Sequence, residues 1–406
     1  MSARFQRRRW GRRVVATIAT VAVVGTAAVS AAGATTGSKP KIVKIGVIAP
    51  LTAGLTSFGK GIENSVRLAV REANADEAIP GFKIAVAAQN DSSEPAVGKK
   101  AAQKLAKDPA VIGVVGTYNS GVAAETAPVL EKAGIVQISP GNTDPALTLG
   151  DDADAPERQF DNYFRVVASD AQQGTVLADY AAGDLGATTV AVVSETKPVS
   201  KGLADRFSAA FAEKGGQVVS TKTVPDGTTD FATVASEIAP LDPSLIFFGG
   251  EYEVAAALST ATASLSAPLM GGDGIKDDAY IEAAGADAEG DIASSIGAPI
   301  DELESAADYA AAYEAAGFDD PPSVFGPYAY DATNVIIDAA AKALKGKSAV
   351  NKKARAAVVK SVQATDTEGI TGRVAFDEYG DTVTKVFTIY QVTGGAWVPV
   401  KTVAAT

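Results

Sequence analysis

Short apolar runs alternate with longer amphipathic segments over residues 43–296. Such runs are typical of buried strands, and apolar residues spaced three and four apart are typical of helices that bury one face. Strands are predicted at 43–49, 83–88, 111–115, 135–138, 163–167, 189–193, 217–224, 245–248 and 291–296. Helices are predicted between them, at about 60–75, 95–107, 121–133, 171–184, 200–214, 230–239 and 252–264. The alternation predicts an α/β fold with two parallel sheets flanked by helices.

The alternation ends after residue 296. Residues 302–316, 327–345 and 351–361 have the spacing of helices, and strands are predicted after them at 371–376, 384–392 and 396–402. Gly380-Asp381 and Thr393-Gly394-Gly395 separate these strands and are typical of hairpin turns. The sequence therefore predicts a terminal hairpin added to a parallel sheet.

Residues 1–34 have the features of a secretory signal peptide. Six arginines precede an uncharged apolar stretch at 14–29, and Ala32-Gly33-Ala34 matches the small-residue cleavage pattern. An uncleaved membrane anchor is the alternative, but the stretch is rich in Ala and Thr and short for a span of about 20 apolar residues. We therefore expect an exported, extracytoplasmic protein, with the general and the twin-arginine export routes both open.

The chain contains no cysteine and no histidine. It therefore has no disulfide, no thiolate nucleophile, no Ser-His-Asp triad and no histidine to bind a metal. We expect that the protein is not an enzyme and uses no cofactor or metal. It also lacks the lipid-modified cysteine that tethers many exported proteins, so how it is retained at the cell surface stays open. The formal net charge of −12 disfavours nucleic acid and anionic membranes as partners.

The most informative stretch is 111–148, where two polar loops each follow a predicted strand. The first loop, 117–121, opens a helix and reads T-Y-N-S-G, and the second, 139–143, reads S-P-G-N-T. Loops at the carboxyl ends of adjacent parallel strands lie side by side. Free N–H groups at a helix start favour an anion, so this region predicts half of a site for a small carboxylate. The alternative for Ser120 is an ordinary helix cap.

An ordered series of motifs runs through residues 42–400. The motifs are I-G-V-I-A-P-L-T at 45–52, S-F-G-K-G at 57–61, Q-N-D-S-S-E-P at 89–95, S-P-G-N-T at 139–143, F-R-V-V-A-S-D-A-Q-Q-G at 164–174, F-F-G-G-E-Y at 247–252, M-G-G-D-G at 270–274 and G-I-T-G-R-V-A-F-D-E-Y-G-D at 369–381. No single motif is specific, but their order resembles the type I periplasmic (solute-)binding proteins of ABC importers of the branched-chain amino acid (leucine/isoleucine/valine) type.

The resemblance implies two Rossmann-like lobes joined by three hinge crossings. Lobe 1 would comprise 41–166 and 297–371, and lobe 2 would comprise 167–296 and 372–406. The implied function is an extracytoplasmic solute-binding subunit that captures a small amino acid, of the branched-chain type or a related amide or polar solute. The implied partner is the membrane permease of an ABC transporter, and the protein would act as a monomer. A soluble ligand sensor that partners a membrane receptor or kinase is the alternative function.

The resemblance also implies roles for single residues in ligand binding. Ser120 and Thr143 would hold the ligand carboxylate from lobe 1, with Gly141 offering its backbone. Asp273 would hold the ligand ammonium from lobe 2, where the alternative is an aspartate in an ordinary Gly-Asp-Gly turn. These roles predict a ligand that carries both charges.

Three further positions bear on the identity of the ligand. Glu251 stands where the family usually has an aromatic residue; it would contact the ammonium or another polar group of the ligand, or it would favour the start of the next helix through the helix dipole. Whether Glu251 or its neighbour Tyr252 contacts the ligand stays open. Phe58 retains the aromatic residue of lobe 1, with ordinary core packing as its alternative. Val199 replaces another aromatic residue, so these departures leave the identity of the ligand open.

Overall fold

Residues 40–52, 54–152 and 155–405 are described by a computed structural model. The predicted signal peptide at 1–34 lies outside the described residues. Among the described helices, none combines the length and the apolar character that a membrane span requires.

The first sheet is parallel and has the strand order β2-β1-β3-β4-β5. Its strands are β1 (Lys41–Ala49), β2 (Phe82–Asn90), β3 (Val111–Gly116), β4 (Val136–Ser139) and β5 (Tyr163–Arg165). Both faces are buried: Val43, Ile45 and Val47 of β1 pack on one side, while Ile48 packs on the other. A parallel sheet covered on both faces explains why its strands are almost continuously apolar.

Helices cover both faces of this sheet, and together with it they form what we call the first lobe. On the face of Val43 lie α1 (Thr56–Ala75), α11 (Gly326–Leu344) and α12 (Lys352–Gln363), and on the face of Ile48 lie α2 (Pro95–Lys107) and α3 (Ser120–Lys132). A short helix, α4 (Ala146–Leu149), follows β4, and α10 (Ala307–Ala316) packs against α1.

The second sheet is mixed and has the strand order β14-β13-β10-β9-β8-β6-β7. Its strands are β6 (Thr189–Glu195), β7 (Gln217–Val224), β8 (Leu245–Gly249), β9 (Leu269–Gly271), β10 (Ile292–Ile296), β13 (Val386–Thr393) and β14 (Ala396–Ala404). Its helices are α5 (Asp170–Asp179), α6 (Pro198–Glu213), α7 (Ala232–Ile238), α8 (Tyr252–Thr262) and α9 (Asp278–Ala284). This second lobe has an aromatic core in which Phe207 stacks on Phe247 with ring centroids 3.8 Å apart.

The chain passes between the two lobes three times. It leaves the first lobe after β5, returns after β10 to form α10, α11 and α12, and leaves again to form β13 and β14. A small two-stranded sheet, β11 (Asp366–Gly369) and β12 (Gly372–Ala375), precedes the last passage. The predicted α/β architecture with three crossings is confirmed, whereas the exact lobe boundaries at 166, 296 and 371 stay predictions.

The chain terminus shows where local signals succeeded and where they failed. The hairpin at Gly394-Gly395 is confirmed, since both glycines have positive φ (62° and 76°) and join β13 to β14. A turn is also present at Gly380-Asp381, where Phe376 and Thr382 form an antiparallel bridge, but β12 pairs with β11 and not with β13. The polar strand β11 has no apolar pattern, and neither it nor β9 nor α9 was predicted.

Candidate functional site

Both sheets direct their carboxyl ends toward one cleft. The strand order reverses between β1 and β3 in the first sheet and between β6 and β8 in the second. In open α/β sheets, ligands bind at the carboxyl ends of the strands at such a reversal. A cavity of about 50 Å³ lies there, which we call the cleft cavity. It is lined from the first lobe by Ser120 and Thr143 and from the second by Asp170, Glu251 and Asp273.

The two polar loops of the first lobe are held together as the sequence predicts. Strands β3 and β4 are paired neighbours. Ser139 Oγ donates to the carbonyl oxygen of Thr117 at 2.9 Å, and Asn142 Nδ2 donates to that of Tyr118 at 2.6 Å. Gly116 ends β3 with φ 130°, and a Cβ there would lie 2.2 Å from the carbonyl oxygen of Ile48. The close strand approach therefore requires glycine at this position.

Ser120 is the first residue of α3 and not its cap. The cap position belongs to Asn119, and no side chain caps this helix end. Ser120 is 4% exposed, and its Oγ accepts a hydrogen bond from the N–H of Asp144 at 3.3 Å. The hydroxyl proton remains available to a ligand, next to a helix start whose first N–H groups have no partner within the helix. The cap alternative for Ser120 is therefore wrong.

Two buried carboxylates face the same cavity. Asp170 is 1% exposed, and its Oδ1 has no hydrogen-bond partner. Asp273 is 7% exposed and accepts a hydrogen bond from Gln173 Nε2 at 2.9 Å. Neither forms a salt bridge with any described residue. Buried carboxylates without a cation are costly, so a cationic group of a ligand would be strongly favoured here.

The pKa values of the two carboxyls follow from this burial. Burial, together with the charge of Asp273, raises the pKa of Asp170 to about 8, while the Thr143 hydroxyl and the charge of Arg206 oppose the shift. Burial raises the pKa of Asp273 to about 6, against the hydrogen bond from Gln173. Asp170 was missed by the sequence analysis, because an aspartate in the first turn of a helix is ordinary on helix-dipole grounds.

Glu251 forms a bridge across the cleft. It occupies the cap position of α8 but makes no side-chain cap hydrogen bond. Asn119 Nδ2 of the first lobe donates to its Oε1 at 2.6 Å, and Lys197 Nζ of the second lobe lies 2.5 Å from its Oε2. Burial opposes the charge of Lys197, but Glu251 and Glu195 outweigh it and raise the pKa of the lysine. Glu251 thus has its own cation, unlike the two aspartates.

The remaining sequence candidates are placed differently. Val199 lines the cleft cavity, as does Gly141, but the N–H of Gly141 already donates to Ser139 Oγ at 3.1 Å. Phe58 does not line it. Its ring is fully buried and lies 4.8 Å from that of Tyr118, which does line the cavity. Phe58 therefore packs in the core behind a cavity-lining ring, which is the alternative role given for it from the sequence.

A buried arginine links the segment after β4 to the segment before β13. Arg165 is fully buried, and its Nε donates to Asp381 Oδ1 at 2.6 Å. Its Nη1 donates to the carbonyl oxygen of Asp144 at 2.7 Å, and its Nη2 to Thr148 Oγ1 at 2.6 Å. Arg165 could not be predicted as a structural residue, because nothing local in the sequence indicates that a residue 216 positions away completes the ion pair.

The acidic lining of the cleft cavity limits the kind of solute that it can bind. Asp170, Glu251 and Asp273 line it, and no lysine or arginine does so among the described residues. The described residues also contain no cluster of three side chains that could hold a metal ion. The arrangement therefore suits a small solute that carries an ammonium group, with the start of α3 available to an anionic group on the same solute.

Residues 42–396 match a family model described as periplasmic binding protein. The chain belongs to the periplasmic binding protein family. Among its relatives is the Leu/Ile/Val-binding protein BraC3 of Rhizobium johnstonii, which is 30% identical over 87% of this chain and 92% of that protein. Leu/Ile/Val-binding protein homolog 1 of Brucella abortus is also 30% identical, over 87% of this chain and 91% of that protein.

Solved structures agree with this assignment. The substrate-binding protein LivJ of Streptococcus pneumoniae, in complex with isoleucine, is 27% identical with a TM-score of 0.79, over 90% of this chain and 100% of that chain. A solute-binding protein of R. palustris, in complex with benzoate, shares the fold at 21% identity with a TM-score of 0.77, over 90% of this chain and 97% of that chain. The predicted type I fold and the family resemblance are confirmed.

Membership decides two further expectations. Periplasmic binding proteins are solute-binding components of ABC transporters, so this binding protein is not an enzyme. The family also implies a location outside the cytoplasm. The relatives bind different solutes, branched-chain amino acids in some and aromatic acids in others. Family membership therefore establishes the class of protein. The identity of the ligand has to be argued from the chemistry of the cavity.

Proposed function

We propose that this binding protein captures a small zwitterionic amino acid, or a related amide or polar solute, between its lobes and delivers it to a membrane permease. The observation that carries the proposal is the pairing of opposite chemistries in one cavity. Ser120 and the start of α3 provide donors for a carboxylate, and Asp170 and Asp273 provide buried acceptors for an ammonium. The protein would act as a monomer, with the permease as its partner.

In this proposal each lobe supplies one part of the site. The first lobe holds the carboxylate through the Ser120 hydroxyl and N–H groups at the start of α3, and Thr143 lies beside them. The second lobe supplies Asp273 and Asp170 to the ammonium. Closure is then driven by the higher affinity of the closed form for a ligand that reaches both lobes. Gly141 contributes a carbonyl or shape to the site, since its N–H is occupied.

The names of the relatives support an amino acid as the ligand, and the charge of the cavity supports it independently. A benzoate-like anion has no ammonium to place beside Asp170 and Asp273. It would add a negative charge to a cavity already lined by the carboxyl groups of Asp170, Glu251 and Asp273. Like charges at short range in a poorly solvated site repel strongly, so an amine-free acid would bind weakly.

The test is a thermal-shift and calorimetric comparison of matched solutes at pH 7. Alanine, valine and leucine are each compared with the acid that lacks the amine and with the amine that lacks the carboxylate. We expect stabilisation by amino acids only, of about 2.7 kcal/mol at a ligand concentration 100 times its Kd. Equal stabilisation by an amine-free acid, or by benzoate, would contradict the proposal, as would the absence of binding by all solutes.

A further inference from the structure

A second cavity of about 230 Å³ lies beside the cleft cavity. It is lined by Ser92 and Ser93 of the first lobe and by Glu195 and Lys197 of the second, together with Glu251. Glu251 is the one described residue that lines both cavities. Its side chain therefore borders both the small cavity and the larger one.

The Glu251 side chain is held in place from both sides. Asn119, which lines the cleft cavity, donates to Glu251 Oε1 at 2.6 Å. Lys197, which lines the second cavity, forms an ion pair with Glu251 Oε2 at 2.5 Å and lies 3.5 Å from Glu195 Oε1. The side chain of Glu251 is only 15% exposed. A charged side chain that is paired at both oxygens and largely buried has little freedom to move aside for a ligand.

The cleft cavity is small by comparison with an amino acid. A cavity needs about 10–15 Å³ per water by this measure, so 50 Å³ accepts roughly four waters. After the carboxylate and the ammonium are placed, little room remains for a side chain. The nearby apolar residues Val199 and Leu203 would contact that side chain.

We propose that the Asn119–Glu251–Lys197 bridge acts as a partition that limits ligand size, so that Glu251 is the specificity-determining residue. The wild-type protein then prefers amino acids with short side chains. Truncation of Glu251 joins the two cavities and admits longer side chains. This inference rests on the proposed function, because it describes the side-chain end of the same ligand.

The experiment measures Kd by calorimetry for alanine, valine, leucine and phenylalanine with the wild type, Glu251→Ala and Glu251→Gln. Glutamine keeps the volume of the Glu251 side chain and can still accept from Asn119, so it is the matched control. We expect the wild type and Glu251→Gln to bind alanine at least about tenfold more tightly than leucine. We expect Glu251→Ala to lower this ratio by about tenfold or more, through tighter binding of leucine. Circular dichroism confirms folding, and Glu251→Ser, with the same expectation, replaces the alanine variant if that variant does not fold.

Two results would overturn the partition while leaving the proposed function intact. One is wild-type protein that binds leucine as tightly as alanine. The other is a folded Glu251→Ala or Glu251→Ser variant whose alanine-to-leucine ratio equals that of the wild type. A wild type that binds no amino acid would instead refute the proposed function, and the partition with it.

Discussion

Replacement of Asp273 by asparagine should change ligand affinity and protein stability in opposite directions. The carboxylate is 7% exposed, lines the cleft cavity and has no cationic partner among the described residues. In the ligand-free protein the buried charge of Asp273 lowers the free energy of unfolding, whereas in the proposed complex it pairs with the ligand ammonium. Asp273→Asn should therefore stabilise the ligand-free protein and weaken binding.

The magnitudes follow from the pKa and from the strength of charged hydrogen bonds. Burial raises the pKa of Asp273 from its usual 3.8 to about 6. A carboxyl with a raised folded-state pKa contributes stability that is complete below about pH 4 and lost as the pH rises through 6. At pH 7 the cost is about 3 kcal/mol at most, at about 1.4 kcal/mol for each pH unit. A hydrogen bond to a charged group contributes about 1.5–3 kcal/mol, so affinity should fall about 10- to 150-fold.

Urea unfolding and calorimetry of the ligand-free protein and its complex measure both effects. Asp331→Asn is the control, because burial also raises the pKa of Asp331 to about 6, but Asp331 does not line the cleft cavity. Asp331 accepts hydrogen bonds from the N–H groups of Ile370 and Thr371, so its replacement should destabilise the protein and leave affinity unchanged. Asp273→Asn with unaltered affinity, or with a ligand-free protein less stable than the wild type at pH 7, would refute the reasoning.

Three further predictions concern other parts of the site. The free energy of unfolding of the ligand-free protein should fall as the pH rises from about 4 through 8, because the pKa of Asp170 is raised to about 8; Asp170→Asn should flatten the upper part of this curve in urea titrations, and an unchanged curve would contradict the assignment. Ser120→Ala should weaken amino acid binding about fivefold, the loss of about 1 kcal/mol for one hydrogen bond. It should lower the melting temperature only slightly, because the serine is not a helix cap and the hydrogen bond that it accepts from the N–H of Asp144 is long, at 3.3 Å; a large drop in melting temperature would contradict that placement. Arg165→Met should lower the free energy of unfolding by about 3–5 kcal/mol because it leaves Asp381 buried without its cation, and a loss below 1 kcal/mol in urea would show that the ion pair is not needed.

Much of the fold could be predicted because its strands are buried on both faces. β1 and β8 are almost continuously apolar, and such runs are visible in the sequence without any knowledge of their neighbours. The missed strands lack this signal: β9 has three residues, and β11 is polar and exposed and pairs only with β12. Because β11 was not predicted, the pairing partner of β12 could not be predicted either.

The residues of the candidate site also divide into those that a local sequence pattern indicates and those that it does not. Residues that a local loop motif places together, such as Ser120 and Thr143, could be proposed from the sequence. The setting of Glu251 could not, because Asn119 lies 132 positions away and reaches it only across the cleft. Asp170 was missed for a related reason: burial without a cation is a property of the packed molecule, and no local pattern indicates it.

The fastening at Arg165 limits where a rotation axis between the lobes can lie. Any rotation that parted Asp144 from Asp381 would break either the buried Arg165–Asp381 ion pair or the hydrogen bond from Arg165 to the carbonyl oxygen of Asp144, so opening should leave both beside Arg165. Displacement is smallest near an axis and grows with distance from it. Thr143, the neighbour of Asp144, should therefore keep its position at every opening angle, while loops farther along the second lobe sweep wide arcs. In the open protein, the binding surface for the carboxylate end of the solute would then already be formed. Closure of the lobes would add only the contacts to the other end of the solute.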